Sequence, residues 1–347
     1  MGSKRKIIVT GGTGYIGSHT AVELQLAGHS VVLIDNFCNS RPEVADAIER
    51  TTGIRPELVQ LDLCDAAETT ELFQAVKPDA VIHFAALKAV GESVEQPLAY
   101  YRNNIGSTLS VAEACIASGT RNMVFSSSCA VYGDPDTLPI AENSPDHRAK
   151  SPYARTKQIC EAILKDLSCT GALSCISLRY FNPVGAHSGG HIGEQATGSV
   201  NNLFPLITQT AIGKRGGLTL FGTDYDTPDG TCIRDYIHVV DVAQAHVKAM
   251  DHLFASKSCL YDVFNIGTGQ GFSVLEILNA FRATTGIEVT SVIGPRRPGD
   301  TVAVYADNSK ALHELGWSPK YGLTEMIRSA WAWEQILQQR EQTAQTT

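Results

Sequence analysis

Ile7-Ile-Val-Thr-Gly-Gly-Thr-Gly-Tyr-Ile-Gly17 is the stretch from which the fold can be read. The apolar, β-branched run from Ile7 to Thr10 predicts a short strand. Glycines at 11, 14 and 17 follow, and a helical pattern then runs through Leu26 and stops at Gly28. Glycine at those three positions lets the chain turn tightly, lets backbone approach a pyrophosphate, and lets the helix pack on the strand. The spacing is GxxGxxG rather than GxGxxG, so the strand before it and the helix after it carry the reading further than the glycines do.

Working outward, Val31-Val-Leu-Ile34 predicts a second strand that ends in Asp35. A carboxylate there can accept hydrogen bonds from the ribose hydroxyls of an adenosine and would repel a 2′-phosphate, which favours NAD over NADP. Further strands are predicted at Leu58–Leu63 and Ala80–Ala85, with Asp62 placed to meet an adenine amino group. Pro97–Ser118 reads as a helix carrying Asn103 and Asn104, Asn122–Ser128 as a buried strand, and Ser174–Leu178 as a sixth strand leading into Arg179-Tyr-Phe-Asn182. Near-continuous apolar runs such as Met123–Phe125 suit strands covered on both faces. This alternation predicts the α/β class, a right-handed, doubly wound parallel sheet of Rossmann-like type.

Beyond about residue 180 the alternation lapses. The segment His187–Asn202 reads as loops, and regular structure returns at Arg234–His238, Val242–Leu253 and Val263–Ile266. The expectation is an NAD-binding domain over residues 1–180. Residues 181–347 would be mainly a smaller C-terminal substrate-binding lobe, some segments of which pack back on the first domain. The polar tail from Gln335 is expected to fray.

The chain has 347 residues, of which 43% are hydrophobic and 18% charged, with a net charge of −8. That balance suits a soluble globular protein and argues against a nucleic-acid or anionic-membrane surface. No apolar run approaches about 18 residues, so no membrane span is expected. The start runs straight into the first strand, so no signal peptide is expected, and Lys6 stands where a myristoylation motif wants Ser or Thr. Nine cysteines without a CxxC pair read as free thiols in a reducing compartment, so a cytoplasmic protein is expected.

The chemistry is carried by Ser151-Pro-Tyr-Ala-Arg-Thr-Lys157. Ser151 and Pro152 suit a helix start, and Tyr153 and Lys157, four residues apart, share a helix face. A phenol of pKa about 10 becomes a base near neutrality only if its phenolate gains about 4 kcal/mol. One ammonium about 4 Å away supplies roughly that much, and a cationic nicotinamide ring would add to it. A lone Tyr-x-x-x-Lys is common on amphipathic helix surfaces, so its meaning depends on the strands around it.

Those surroundings are specific. Thr10–Gly17, Phe125-Ser-Ser-Ser128, Val131-Tyr-Gly133 and the Tyr153/Lys157 pair resemble the extended short-chain dehydrogenase/reductase family. Within it, His83–Ser93, Leu178–Ala186, Asn201-Asn-Leu203, Gly230–His238 and Pro295–Asp300 are similar to the nucleotide-sugar 4-epimerases, in family order from Lys6 to Trp333. The resemblance implies an isomerase that interconverts UDP-galactose and UDP-glucose through a 4-keto sugar, with tightly held NAD, in galactose metabolism. Tyr153 would be the base, Lys157 its support, and Ser128 the hydrogen-bond partner of the sugar O4.

By the same carry-over, Gly11, Gly14, Tyr15, Ile16, Gly17, Asp35, Asn36, Asn39, Ser40, Asp62, Leu63, Phe84, Ala85, Lys88, Asn103, Tyr153, Lys157 and Tyr180 would contact NAD. Lys88, Ser128, Tyr153, Phe181, Asn182, Asn202, Leu203, Phe221, Arg234, Arg297, Asp300 and Val304 would line the UDP-sugar site. The arginines also make sense as bidentate donors for a diphosphate in an acidic protein. A homodimer through the helices around Pro97–Ser118 and Tyr153–Leu167 is implied as well.

Two positions depart from the pattern. Cys129-Ala130 stand where relatives often have Ala-Thr, removing a hydroxyl near the tyrosine. Val304 falls where some relatives carry a large aromatic residue, which would leave room for 2-acetamido sugars. The alternatives on this scaffold are a 4,6-dehydratase or a UDP-glucuronate decarboxylase. The dehydratase is disfavoured because Ser127–Ala130 contains no acid. A non-catalytic NAD-binding sensor would have no use for Tyr153 and Lys157. His187 and His191 are separated by glycines and read as loop, not metal ligands, and no GxSxG elbow of a serine hydrolase is present.

Overall fold

The computed structural model describes residues 4–145, 148–195, 202–297 and 299–346. The sheet strands come in chain order as β1 (Lys6–Thr10), β2 (Ser30–Asp35), β3 (Glu57–Gln60), β4 (Ala80–His83), β5 (Asn122–Ser128) and β6 (Ser174–Tyr180). Between them lie α1 (Tyr15–Leu26), α2 (Val44–Thr52), α3 (Ala66–Val76), α4 (Val90–Glu95), α5 (Pro97–Tyr100), α6 (Gly106–Ser118) and α7 (Pro152–Cys169). The rest comprises β7 (Asn182–Val184), α8 (Leu203–Ala211), β8 (Leu218–Phe221), β9 (Ile233–Arg234), β10 (Tyr236–His238), α9 (Val239–Ala255) and β11 (Tyr261–Ile266). It ends with β12 (Phe272–Ser273), α10 (Val274–Thr285), β13 (Ser291–Gly294), β14 (Ala303–Val304), α11 (Ser309–Leu315) and α12 (Leu323–Thr346).

Seven strands form one sheet in the order β11-β6-β5-β4-β1-β2-β3, and every pairing in it is parallel. Residues alternate between its faces, as the two-residue period of a strand requires. Ile7, Val9, Val31 and Leu33 pack with α1, α2 and α9, whereas Ile8, Val32 and Ile34 pack with α3, α6 and α7. Both faces are therefore apolar, which is why these strands read as continuous hydrophobic runs. The order reverses direction between β1 and β4, whose last residues Thr10 and His83 are register partners. In a doubly wound sheet the crevice at that switch is where ligands bind.

The chain beyond β6 does two things. α9 and β11 return to the large sheet, β11 pairing with β6. The remainder builds a second core in which Phe204, Leu218, Leu220, Ile277, Phe281 and Ile327 meet, with the small sheets β13-β8 and β12-β9-β14 beside it. The tail is not frayed as its polarity suggested. It continues α12 to Thr346, with Lys214 paired to Glu334 and Glu341 and the Arg340 guanidinium over the Trp333 ring. Among the described residues, no helix is long and apolar enough to cross a membrane.

Candidate active site

The glycine turn closes tightly on β4. A Cβ on Gly11 (φ +63°) would come to 2.8 Å from the Ala85 nitrogen, and one on Gly17 to 2.3 Å from the Gly11 oxygen. A Cβ at either position would clash, so glycine is needed at Gly11 and Gly17 for the tight turn and for packing α1 against β1. Gly14 caps α1 with no side-chain hydrogen bond and no acid in the first turn. The N-terminal N–H groups of Tyr15 and its neighbours thus face the crevice end with a positive dipole.

Asp35 ends β2 and is held there. Its carboxylate accepts from the Thr13 nitrogen (3.2 Å), the Phe37 nitrogen (3.0 Å) and the Ser40 hydroxyl (2.8 Å). Asn36 donates to Asp62 at 3.5 Å, and Asp62 also accepts from the Cys64 nitrogen at 2.9 Å, beside buried Leu63. Asp35, Asn36, Asn39, Ser40, Asp62 and Leu63 therefore share one end of the sheet.

At the end of β4, burial holds His83 neutral, pushing its pKa down to about 3. Its ring bonds Thr10 at 2.7 Å and Thr108 at 3.3 Å. Phe84 and Ala85 follow, with the Phe84 ring against His246. The helix predicted over Pro97–Ser118 is broken by a π-helical turn, Tyr101–Ile105, between α5 and α6. Such turns carry a backbone cost and occur often at functional sites. This one presents Asn103 and Asn104. Asn104 is buried and clamps Leu87 through both backbone groups (2.8 and 3.0 Å), donates to Thr156 at 3.0 Å, and accepts from Asn103 at 3.0 Å. Lys88, next along, pairs with Glu194 at 3.3 Å.

Tyr153, Lys157 and Ser128 come together as expected. Ser151 caps α7 by accepting from the Ala154 nitrogen at 3.2 Å, with Pro152 in the first turn. The Ser128 oxygen accepts from the Ala130 nitrogen at 3.2 Å, and the Ser128 side chain beside Tyr153 favours its phenolate. One expectation fails. Burial, not the lysine, dominates the phenol and pushes Tyr153 up to about 12. The Lys157 ammonium is itself buried, which lowers it to about 8, and it donates to the Ser126 carbonyl at 2.7 Å. Burial weakens the charged forms of both groups, and the short carbonyl bond engages the ammonium elsewhere. Tyr180 closes this end, its hydroxyl donating to the Ser126 hydroxyl.

The second half of the crevice is built by the smaller core. Asn182 donates from Nδ2 to the Asp235 carbonyl at 2.8 Å. Arg234 donates to the carbonyls of Ile233 (2.8 Å) and Thr301 (2.7 Å) and reaches Asp300 at 3.6 Å. Arg297 forks onto the same Asp300 carboxylate, with its closest contact at 2.8 Å, and its guanidinium lies 5.6 Å from the centre of the half-exposed Phe221 ring. Val304 pairs in register with Arg234 across β14 and β9 and packs against the cluster of Phe181, Val131, Tyr132, Ile140 and Ala306. Asn202 precedes Leu203 at the start of α8 and donates to Glu194 at 3.3 Å. Asn201 and Pro298, in the quoted motifs, lie outside the described residues. His187 and His191 sit in a loop, and among the described residues no group of three His, Cys, Asp or Glu side chains is placed to hold a metal.

The geometry can be set beside known proteins. The model of the "NAD dependent epimerase/dehydratase family" matches residues 7–267. The chain belongs to this family. It is 48% identical over 329 residues to a UDP-glucose 4-epimerase of Bacillus subtilis, covering 94% of this chain and 96% of that one. It superposes with a TM-score of 0.94 on the Stenotrophomonas maltophila UDP-glucose 4-epimerase solved with NAD and formylated UDP-arabinopyranose, at 47% identity, covering 97% and 99% of the two chains. The Bifidobacterium longum UDP-glucose 4-epimerase, solved with NAD+ and UDP, follows at 0.91 and 42% identity, covering 95% and 98%.

The cofactor of this epimerase/dehydratase family fits the residues present. The uncapped, acid-free start of α1 suits a pyrophosphate, and a fixed carboxylate at Asp35 suits ribose hydroxyls. Sequence reasoning missed Glu194, the Ser126 carbonyl as the anchor of Lys157, and the clamping role of Asn104. Only Asn104 had a signal, as an amide in a helix interior where backbone-competing side chains are disfavoured.

Proposed function

We propose that the protein interconverts UDP-galactose and UDP-glucose by epimerisation at C4, using bound NAD. The observation that carries this is Tyr153 beside Ser128 at the carboxyl end of β5, together with an arginine pair gathered on Asp300. Tyr153 Oη takes the proton of the sugar 4-hydroxyl, and Ser128 hydrogen-bonds O4 as it becomes a carbonyl. NAD, when held at the glycine turn and by the Asp35 carboxylate, would supply the redox group for the C4 hydride and a positive ring to support the Tyr153 phenolate. Arg234 and Arg297 hold the diphosphate while the 4-keto sugar turns about that link.

Residues 181–347 are read as mainly the UDP-sugar lobe. The modest bulk of Val304 leaves the sugar site wide enough for 2-acetamido sugars. The protein is read as a cytoplasmic homodimer, supported by exposed Val90, Val94, Leu98, Leu109 and Ile116 on α4 to α6. A monomer in light scattering would refute the dimer. The function is tested with purified protein, no added cofactor, on UDP-galactose and UDP-N-acetylgalactosamine. Conversion of both supports the function and the wide pocket, conversion of UDP-galactose alone removes the pocket argument, and conversion of neither with NAD bound overturns the function.

A further inference from the structure

Three residues of α7 spaced by four, Tyr153, Lys157 and Glu161, share one helix face beside three consecutive serines of β5, and two of them are tied to that strand. Tyr153 lies beside Ser128, Lys157 donates to the Ser126 carbonyl at 2.7 Å, and Glu161 accepts from the Ser127 hydroxyl. The Glu161 tie is anchored from behind. Arg179, the register partner of Ser127 on β6, grips Glu161 with a fork, Nε to Oε1 at 3.0 Å and Nη2 to Oε2 at 2.5 Å. The Tyr132 ring covers the guanidinium at 4.8 Å, and the Tyr132 hydroxyl donates to Asn265 at 2.7 Å. Glu161 is 6% exposed, Arg179 5% and Ser127 0%.

A buried ion pair of this kind is a poor device for stability, since removing both charges from water costs about what their attraction returns, and an apolar pair often serves as well. Its usefulness lies in direction. A two-pronged fork fixes the carboxylate plane, and the carboxylate fixes one serine against one helical turn.

We propose that Glu161 and Arg179 are positioning residues for the epimerisation, seating α7 on β5 so that Tyr153 and Ser128 keep their alignment on the sugar O4. Neither touches a reacting atom. The inference rests on the proposed function.

The test compares holoenzyme variants on UDP-galactose, reading kcat, KM, UDP affinity, bound NAD and melting temperature. The double variant Glu161→Leu/Arg179→Met replaces the pair with apolar bulk. It is expected to fold and bind UDP within about twofold of wild type, with kcat lowered about 10- to 100-fold, the scale of a misplacement of about 1 Å. Ser127→Ala removes one tie without uncovering a charge, and is expected to lower kcat about 3- to 10-fold at unchanged KM. If the double variant does not fold, Ser127→Ala decides alone. A Ser127→Ala enzyme with wild-type kcat, or a folded double variant with wild-type kcat, overturns the proposal. An inactive wild type instead overturns the proposed function, so the two failures are distinguishable.

Discussion

The Lys157 ammonium donates to the carbonyl oxygen of Ser126 at 2.7 Å, deep between α7 and β5. The lysine thus fastens the helix that carries Tyr153 to the strand that carries Ser128. Its charge also lies 4.8 Å from the centre of the Phe125 ring. This environment stabilises a cation less than water does, and burial lowers Lys157 from 10.5 to about 8.

That shift sets a stability prediction. Because the folded pKa lies below the unfolded one, the unfolded chain holds an extra proton between pH about 8 and 10.5. The charged lysine therefore destabilises the fold by about 3 kcal/mol at neutral pH, and stability on its account rises as pH climbs through that window. Lys157→Met also leaves the Ser126 carbonyl unpaired, at about 1–3 kcal/mol. The variant should melt near or above the wild type at pH 7, and its advantage should shrink towards pH 10. A large loss of melting temperature at pH 7 would contradict this.

Acid should unfold the protein early. Burial pushes His19 and His83 down to about 3, and His238 and His246 to about 4. Below pH 6.5 the unfolded chain takes up protons that the folded chain refuses, so this stability is present above 6.5 and lost as pH falls. At pH 5 each histidine accounts for about 2 kcal/mol, and the four together approach the whole stability of an ordinary domain. Buried Asp235 and Asp241, raised by burial, act in the opposite sense, with their ordinary carboxyl range lying lower in pH. Denaturant midpoints at pH 7.5, 6 and 5 should fall steeply, and a flat profile would refute the account.

Arg297 is more than half exposed and reaches Asp300 from the solvent side. It is placed to bind substrate uniformly in ground and transition states. Arg297→Met should raise KM for UDP-galactose about tenfold or more and weaken UDP to match, with kcat within about threefold. A drop in kcat with unchanged UDP affinity would place Arg297 in the chemistry instead.

Much of this site was legible because its parts lie at strand ends, where local patterns are strong. The run Ile7–Gly17, the terminal Asp35, Ser126–Ser128 and the capped start of α7 at Ser151-Pro152 each declare their structure through residues a few positions apart. What escaped depends on contacts between distant segments. Glu194 meets Lys88 across 106 residues, and Asn104 reaches Thr156 across 52. The π-helical turn has no local signature, and the helical tail is held by Lys214 through Glu334 and Glu341 rather than by its own composition. The phenol was misjudged for the same reason. Spacing placed Lys157 on the face of Tyr153, but the length of the lysine and the open Ser126 carbonyl decided where the ammonium points.

The central claim is that the Tyr153 hydroxyl moves the O4 proton. Tyr153→Phe removes that one oxygen, and turnover of saturating UDP-galactose should be measured alongside the NAD retained by the purified variant. The account predicts a loss of about 10²- to 10⁴-fold in kcat with NAD still bound. Turnover within a few fold of wild type, with NAD bound, would contradict it.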